Sequence, residues 1–156
     1  MSIISNVLIS ALATTSLTGR IDVCFKGEGK DVIVMPIVTN PSPEISNPQK
    51  NEVFNAVTGD LKIIGALGLR SLSVESIWPT TKNYSFSRFY GSSGVECIQF
   101  FNKYRKAYKI IRCIIVYANG QDVLNMPCVI DEFAYKTDKM GDIHYKIAVS
   151  EYKEIK

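Results

Sequence analysis

The sequence predicts an α+β fold, mostly antiparallel β, with one flanking helix at about 94–109 and a short N-terminal helix. Three observations carry this expectation. The run from Ile110 to Tyr152 holds three strand-like segments, IIRCIIVY, MPCVIDEFAYK and DIHYKIAVSEY, joined by polar turns. In the last of them Ile143, Tyr145, Ile147 and Val149 fall on one face and His144, Lys146, Ala148 and Ser150 on the other, the alternation of a half-buried antiparallel strand. Hairpin turns are signalled by Gly27-Glu28-Gly29-Lys30 and by Thr58-Gly59, each between apolar runs. Finally, Ser93-Gly94-Val95-Glu96 is a capping box that opens a helix, because the Ser oxygen takes an orphan N–H and the Glu reaches back.

In chain order, Ile3, Ile4, Val7, Leu8, Ala11 and Leu12 recur at helical spacing behind Ser2, a potential N-cap. This stripe is either core or a docking arm. Residues 1–18 are set apart as an N-terminal extension, and 19–156 form a single β-rich domain. No Lys or Arg precedes the apolar stretch 3–13, and it is too short and polar to span a bilayer. A soluble, unprocessed chain is expected. Arg20 to Val38 reads as a hairpin. Residues 40–51 (NPSPEISNPQKN), with Pro41, Pro43 and Pro48, read as an extended surface loop suited to adaptable contacts.

NEVFNAV and DLKIIG form a second hairpin, and LRSLSVESIWP a strand with Leu69, Leu72, Val74 and Ile77 inward. Its imperfect alternation allows a bulge. Residues 80–93 read as a polar and aromatic loop with a short strand. The helix buries Cys97, Phe101, Tyr104 and Tyr108, widened by Val95 and Ile98, while Lys103, Arg105, Lys106 and Lys109 crowd the end that favours cations. Asn119-Gly120 and Met140-Gly141-Asp142 supply the last turns. The closing run reads as a sheet edge that meets other chains.

At 156 residues, 46% apolar and 21% charged, the chain can bury a substantial core and is not compositionally disordered. A net charge of +3 forces neither a nucleic-acid nor a membrane partner. Cys24, Cys97, Cys113 and Cys128 form no CxxC, each lies in an apolar run, and one His cannot complete a zinc set, so buried reduced thiols are expected. No catalytic, cofactor-binding or metal-ligating set is predicted. Gly65–Arg70 (GALGLR) lacks the Lys-Ser/Thr of a P-loop and reads as a kinked strand. His144 has no second His anywhere, and Asp131 and Glu132, being neighbours, point to opposite faces. The basic helix end, with Lys103, Arg105, Lys106, Lys109 and Arg112 around Tyr104 and Tyr108, is a solvated face, a salt-bridged subunit interface or a nucleic-acid surface.

The order of segments carries a resemblance. VMPIVTNPSPEIS supplies Pro36, Asn40 and Pro41. The stretch through IIGALGLRSLSVESIWP supplies Gly59, Leu61, Gly65, Leu69, Arg70, Ser73, Trp78 and Pro79. The closing GDIHYKIAVSEY supplies Gly141, Asp142, Tyr145, Glu151 and Tyr152. From about residue 20 onward the chain resembles the N-terminal domain of the LysM-containing baseplate proteins of PBSX-type prophages and related contractile tails. The LysM module typical of that family lies outside the matched stretch, and peptidoglycan binding is not carried over.

The resemblance implies a non-enzymatic structural protein of a contractile phage tail or tail-derived bacteriocin, with a tail-tube-like β-sandwich or partial barrel. It implies a baseplate adaptor between hub or spike and tail tube, or else a tube or tube-initiator protein. It further implies assembly in a bacterial cytoplasm into rings, usually of six copies, beside hub, spike, tube and wedge proteins. No membrane partner is implied, and DNA only as a passenger through a tube. Expected interfaces are the N-terminal segment (Ile3, Val7, Leu8), the proline loop 40–51 (Asn40, Pro41, Pro43, Asn47), the basic helix end (Lys106, Lys109) and the final strand 142–152 (His144, Lys146, Tyr152).

Overall fold

A computed structural model describes residues 21–38, 43–80, 84, 87, 91–117 and 122–155. The N-terminal extension, with Ile3, Val7 and Leu8, lies outside the described residues, as do Asn40, Pro41 and the Asn119-Gly120 turn. In order, the elements are β1 (Ile21–Lys26), β2 (Val32–Val34), β3 (Glu44–Ser46), β4 (Glu52–Ala56), β5 (Gly59–Ile63), β6 (Ser71–Trp78), α1 (Gly94–Lys106), β7 (Ile111–Tyr117), β8 (Asp122–Thr137) and β9 (Ile143–Glu151). The expected mostly antiparallel α+β fold is what forms. Seven strands make one sheet in the order β2-β1-β7-β8-β9-β6-β3, and β4 and β5 make a separate two-stranded ribbon.

β8 explains the shape. Its first half, Asp122–Cys128, pairs with β7, and its second half, Cys128–Thr137, pairs with β9, with a register shift between Ile130 and Glu132. A long strand shared in this way, and bent at a bulge, turns a corner between two half-sheets. The halves face each other across the core. Trp78 Nε1 on β6 lies 3.4 Å from the Met35 sulfur just after β2, and the Tyr145 hydroxyl on β9 lies 3.6 Å from it. The result is a partial barrel, and α1 closes its open side. Phe101 of α1 packs against Phe25 at 5.1 Å, Phe133 at 5.2 Å and Trp78 at 6.4 Å between ring centroids, and Trp78 stacks on Tyr145 at 4.0 Å.

The helix begins where the capping box places it. Ser93 Oγ accepts from the Glu96 N–H at 3.2 Å, and Glu96 Oε2 accepts from the Ser93 N–H at 3.3 Å. It ends at Lys106 rather than near 109, and Tyr108 sits at a φ of 54°. Its buried face is Gly94, Cys97, Phe100, Phe101 and Tyr104, so the expected stripe is rotated: Val95 and Tyr108 are exposed and Phe100 is inside. Tyr104 reaches past α1 to the β1–β2 turn, where it accepts from the Glu28 N–H and donates to Asp31 Oδ2, both at 2.8 Å. Its ring occupies the space that a Cβ at Gly27 would need.

Three strand expectations change. β6 alternates without a bulge, and Leu72, Val74, Ser76 and Trp78 point inward while Ile77 points outward and Leu69 is exposed. Ser76 hides the pattern because a buried hydroxyl needs only one partner, here the Ile37 carbonyl at 3.4 Å. Part of the proline loop, Glu44–Ser46, is the edge strand β3 on β6. And β9 is not an edge: β8 and β6 flank it on either side. Its alternation is as expected, but that pattern reports which face is wet, not whether a neighbour strand exists.

Candidate functional site: an exposed amphipathic arm

The ribbon β4–β5 projects from the barrel as an arm. Its ladder pairs Glu52 with Ile63, Val53 with Lys62, Phe54 with Leu61, Asn55 with Asp60 and Ala56 with Gly59, closing on the two-residue tip Val57-Thr58. Paired residues share a face. One face therefore carries Phe54, Ala56, Leu61 and Ile63 with Glu52 at its base, and the other carries Val53, Asn55, Asp60 and Lys62. Such a sequence ordinarily lays its apolar face on a core. Here Phe54 is 57% exposed, Leu61 56% and Ile63 52%, and Ile64 and Leu67 beyond the strand are also exposed. A lone two-stranded ribbon is marginal in water, and contiguous exposed apolar patches commonly mark interaction surfaces.

The base of the arm is built to be stiff. The Lys50 N–H donates to the Ala66 carbonyl at 2.9 Å, and the Gly68 N–H to the Pro48 carbonyl at 2.8 Å. Asn51 Oδ1 accepts from the Gly65 N–H, and Gln49 Nε2 donates to the Gly65 carbonyl. Gly65 lies so close to the Lys50 carbonyl that no Cβ fits there. GALGLR is thus the crossing point of the arm rather than the kinked strand expected, its only strand pairing among the described residues being the isolated bridge from Leu67 to Gln49. Arg70 then ties the base to the barrel. Glu151 at the end of β9 accepts from the Arg70 backbone N–H at 3.1 Å and from its guanidinium at 2.9 Å, and the Glu151 N–H donates to the Arg70 carbonyl at 2.8 Å. The Arg70 hydrogen bonds push the Glu151 carboxyl down to about 2.

The sequence-predicted candidates scatter around this arm. Asn47 is exposed beside its base, in a groove shared with Pro48, Leu67, Arg70 and Glu151, and Pro43 is half-buried just before β3. His144 and Lys146 lie on the outer sheet face, where His144 Nε2 is 2.9 Å from Asp138 Oδ2. Tyr152 is partly exposed, and its N–H donates to the Pro127 carbonyl. Lys106 is exposed; Lys109 pairs with Glu28 at 2.6 Å and Lys103 with Asp31 at 3.0 Å. Two cations of the basic helix end are thus engaged within the chain. Of its tyrosines, Tyr104 is buried and only Tyr108 is exposed.

The four cysteines are buried and none of them is in a disulfide. Burial pushes the Cys97 and Cys128 thiols up to about 12 and Cys113 well above its usual value, so they are poor nucleophiles. Among the described residues no group of three or more His, Cys, Asp or Glu could hold a metal ion, and no helix is long and apolar enough to cross a membrane.

The sequence marked the arm as a hairpin but not as exposed. The signal was an apolar face on a ribbon outnumbered by polar punctuation on both sides: Asn47 through Asn51 before it and three glycines, Gly59, Gly65 and Gly68, within or after it. No family model matches the chain. It is 27% identical over 130 residues to uncharacterized protein YqbP of Bacillus subtilis (strain 168), an overlap of 81% of this chain and 57% of that protein. The chain therefore spans less than two thirds of the length of the relative it matches.

Proposed function

We propose that the chain is a structural subunit of a contractile phage tail or tail-derived bacteriocin, a baseplate adaptor joining the hub or spike to the tail tube. The observation that carries it is the arm: an apolar ribbon face left bare on a stiffened base makes sense in a subunit whose fold is completed by its neighbours. The segment order from Pro36 to Tyr152 supplies the kind of assembly. On this reading the role is mechanical, with the barrel as a rigid block and the arm as its connector.

The test is co-expression with hub, spike and tube proteins, followed by native mass spectrometry and negative-stain microscopy. Wild-type chains should enter particles at the tip of the tube; distribution along its length would make the chain a tube protein of the same particle. The double variant Phe54→Asp/Leu61→Asp should melt with the wild type yet stay out of particles. Unchanged incorporation of that variant would overturn the role of the arm. A wild-type monomer that ignores tail components and binds nucleic acid at moderate salt would overturn the reading as a whole.

A further inference from the structure

We propose that the arm of one copy adds as strands to the free edge of β8 in a neighbouring copy, extending that copy's sheet beside α1. The proposal rests on the subunit reading above and names the partner of the arm: a second copy of this chain.

The argument begins with the edges. Exposed strand edges are templates for pairing and are usually blunted. Two edges here are blunted. β2 has three residues, and Val34 exchanges both backbone hydrogen bonds with Ser92, its carbonyl accepting from the Ser92 N–H and its N–H donating to Ser92 Oγ. β3 also has three residues and sits between Pro43 and Pro48. Among the described residues three longer stretches have no strand partner on one side: the arm, Val74–Trp78 of β6, where pairing with β3 stops at Ser73, and, longest, the second half of β8. There β7 stops pairing at Cys128, so from Val129 to Thr137 the side away from β9 has no strand partner among the described residues.

The faces on either side of that edge say what would fill it. Toward the core lie Phe133, half-buried with the Arg105 guanidinium 5.9 Å from its ring centroid, and Tyr135, 49% exposed with its ring 5.3 Å from that of Phe133. Tyr108 and Ile130 line a groove of about 220 Å³ at the near end. Toward solvent lie Glu132, Ala134 and Lys136, all exposed. The missing strand must therefore be apolar on one face and polar on the other. The arm has that pattern, with Phe54, Leu61 and Ile63 to continue the row of Phe133 and Tyr135, and Asn55, Asp60 and Lys62 to continue the row of Glu132 and Lys136.

Both surfaces also carry charges left unpaired within the chain: Glu52, Asp60 and Lys62 on the arm, and Lys106, Asp131, Glu132 and Lys136 around the edge, make no salt bridge among the described residues. Donor and acceptor are different surfaces of one chain, so each copy that docks still offers a free arm or a free edge. That is a heterologous contact, which propagates and closes into a ring where the rotation allows. It is strand addition between copies rather than to a peptide.

The test is disulfide trapping on the full chain, which the buried native thiols do not disturb. Copies carrying Asn55→Cys are mixed with copies carrying Glu132→Cys, Ala134→Cys or Lys136→Cys in turn, all polar-face positions that neighbouring strands bring to about 5 Å. The expected result is a mixed disulfide dimer with one or two of the three partners under mild oxidation. It should be lost when Phe54→Asp/Leu61→Asp is added to the Asn55→Cys chain. Oligomers that persist on native mass spectrometry with no mixed disulfide in any combination would overturn this inference and leave the subunit reading standing. A chain that stays monomeric alone and with its tail partners, with no disulfide, would overturn both.

Discussion

Replacing Glu151 with Gln should loosen the joint between arm and barrel. In the folded chain the Glu151 side chain is 10% exposed and accepts two hydrogen bonds from Arg70, one from the backbone and one from the guanidinium. Hydrogen bonds to a charged group contribute about 1.5–3 kcal/mol. Arg70 is 36% exposed, and solvent screens part of its charge, while Gln keeps an oxygen for the backbone N–H. The expected loss is therefore about 1–2 kcal/mol. For a chain of this size that lowers Tm by roughly 2–8 °C.

The pH dependence follows from the direction of the shift. Glu151 is held at about 2 in the fold against an ordinary 4.5. Between those values the unfolded chain binds more protons, so stability rises with pH across the window. The contribution is complete above about 4.5 and gone as pH falls through about 2. Thermal melts of wild type and Glu151→Gln by circular dichroism at several pH values check it. The gap between the two should be widest at neutral pH and should close toward pH 2. Coincident melts at pH 7, or a gap that survives unchanged at the lowest pH, would refute the argument.

Other outcomes follow from the same geometry. Trp78→Ala removes the ring that stacks on Tyr145 and packs against Phe101 and Phe133, and should cost about 3–5 kcal/mol, read by urea denaturation. Ser93→Ala deletes half of the capping box and should cost about 1 kcal/mol in the same assay. Gly65→Ala places a Cβ against the Lys50 carbonyl. Amides from Lys50 to Gly68 should exchange roughly tenfold faster by hydrogen–deuterium exchange, about 1.4 kcal/mol of local opening, while Tm stays close to wild type because the arm lies outside the core. The buried cysteines should resist a thiol-specific chromogenic reagent in the native state and react with it once urea unfolds the chain.

Much of the fold was legible in the residues. The capping box set the start of α1 because both of its partners lie within one turn. The two hairpin turns and the alternation of β9 were likewise local, depending only on the geometry of adjacent residues. The end of α1 was harder. Phe100, Phe101 and Tyr104 can define either of two overlapping stripes, and the choice between them rests on which ring reaches Phe25 and the Gly27 turn, residues more than seventy positions away. Ser76 misled for a similar reason: its partner, the Ile37 carbonyl, belongs to a different part of the chain.

The candidate site was the least legible part. The alternation of β4 and β5 is indistinguishable from that of β9, yet one ribbon is bare and the other strand is central. By itself the sequence determined the local chemistry: which segments are strands, where the helix starts, and which faces are apolar. The tertiary structure decided which apolar faces the chain covers for itself. β8 bends at its bulge and spends its two halves on different neighbours, so β9 acquires a strand on each side while half of one edge of β8 has no strand partner among the described residues. Gly65 and the Arg70–Glu151 pair hold the arm out from the barrel. Edge status depends on how many strands arrive beside a given one, a long-range count that no local pattern encodes.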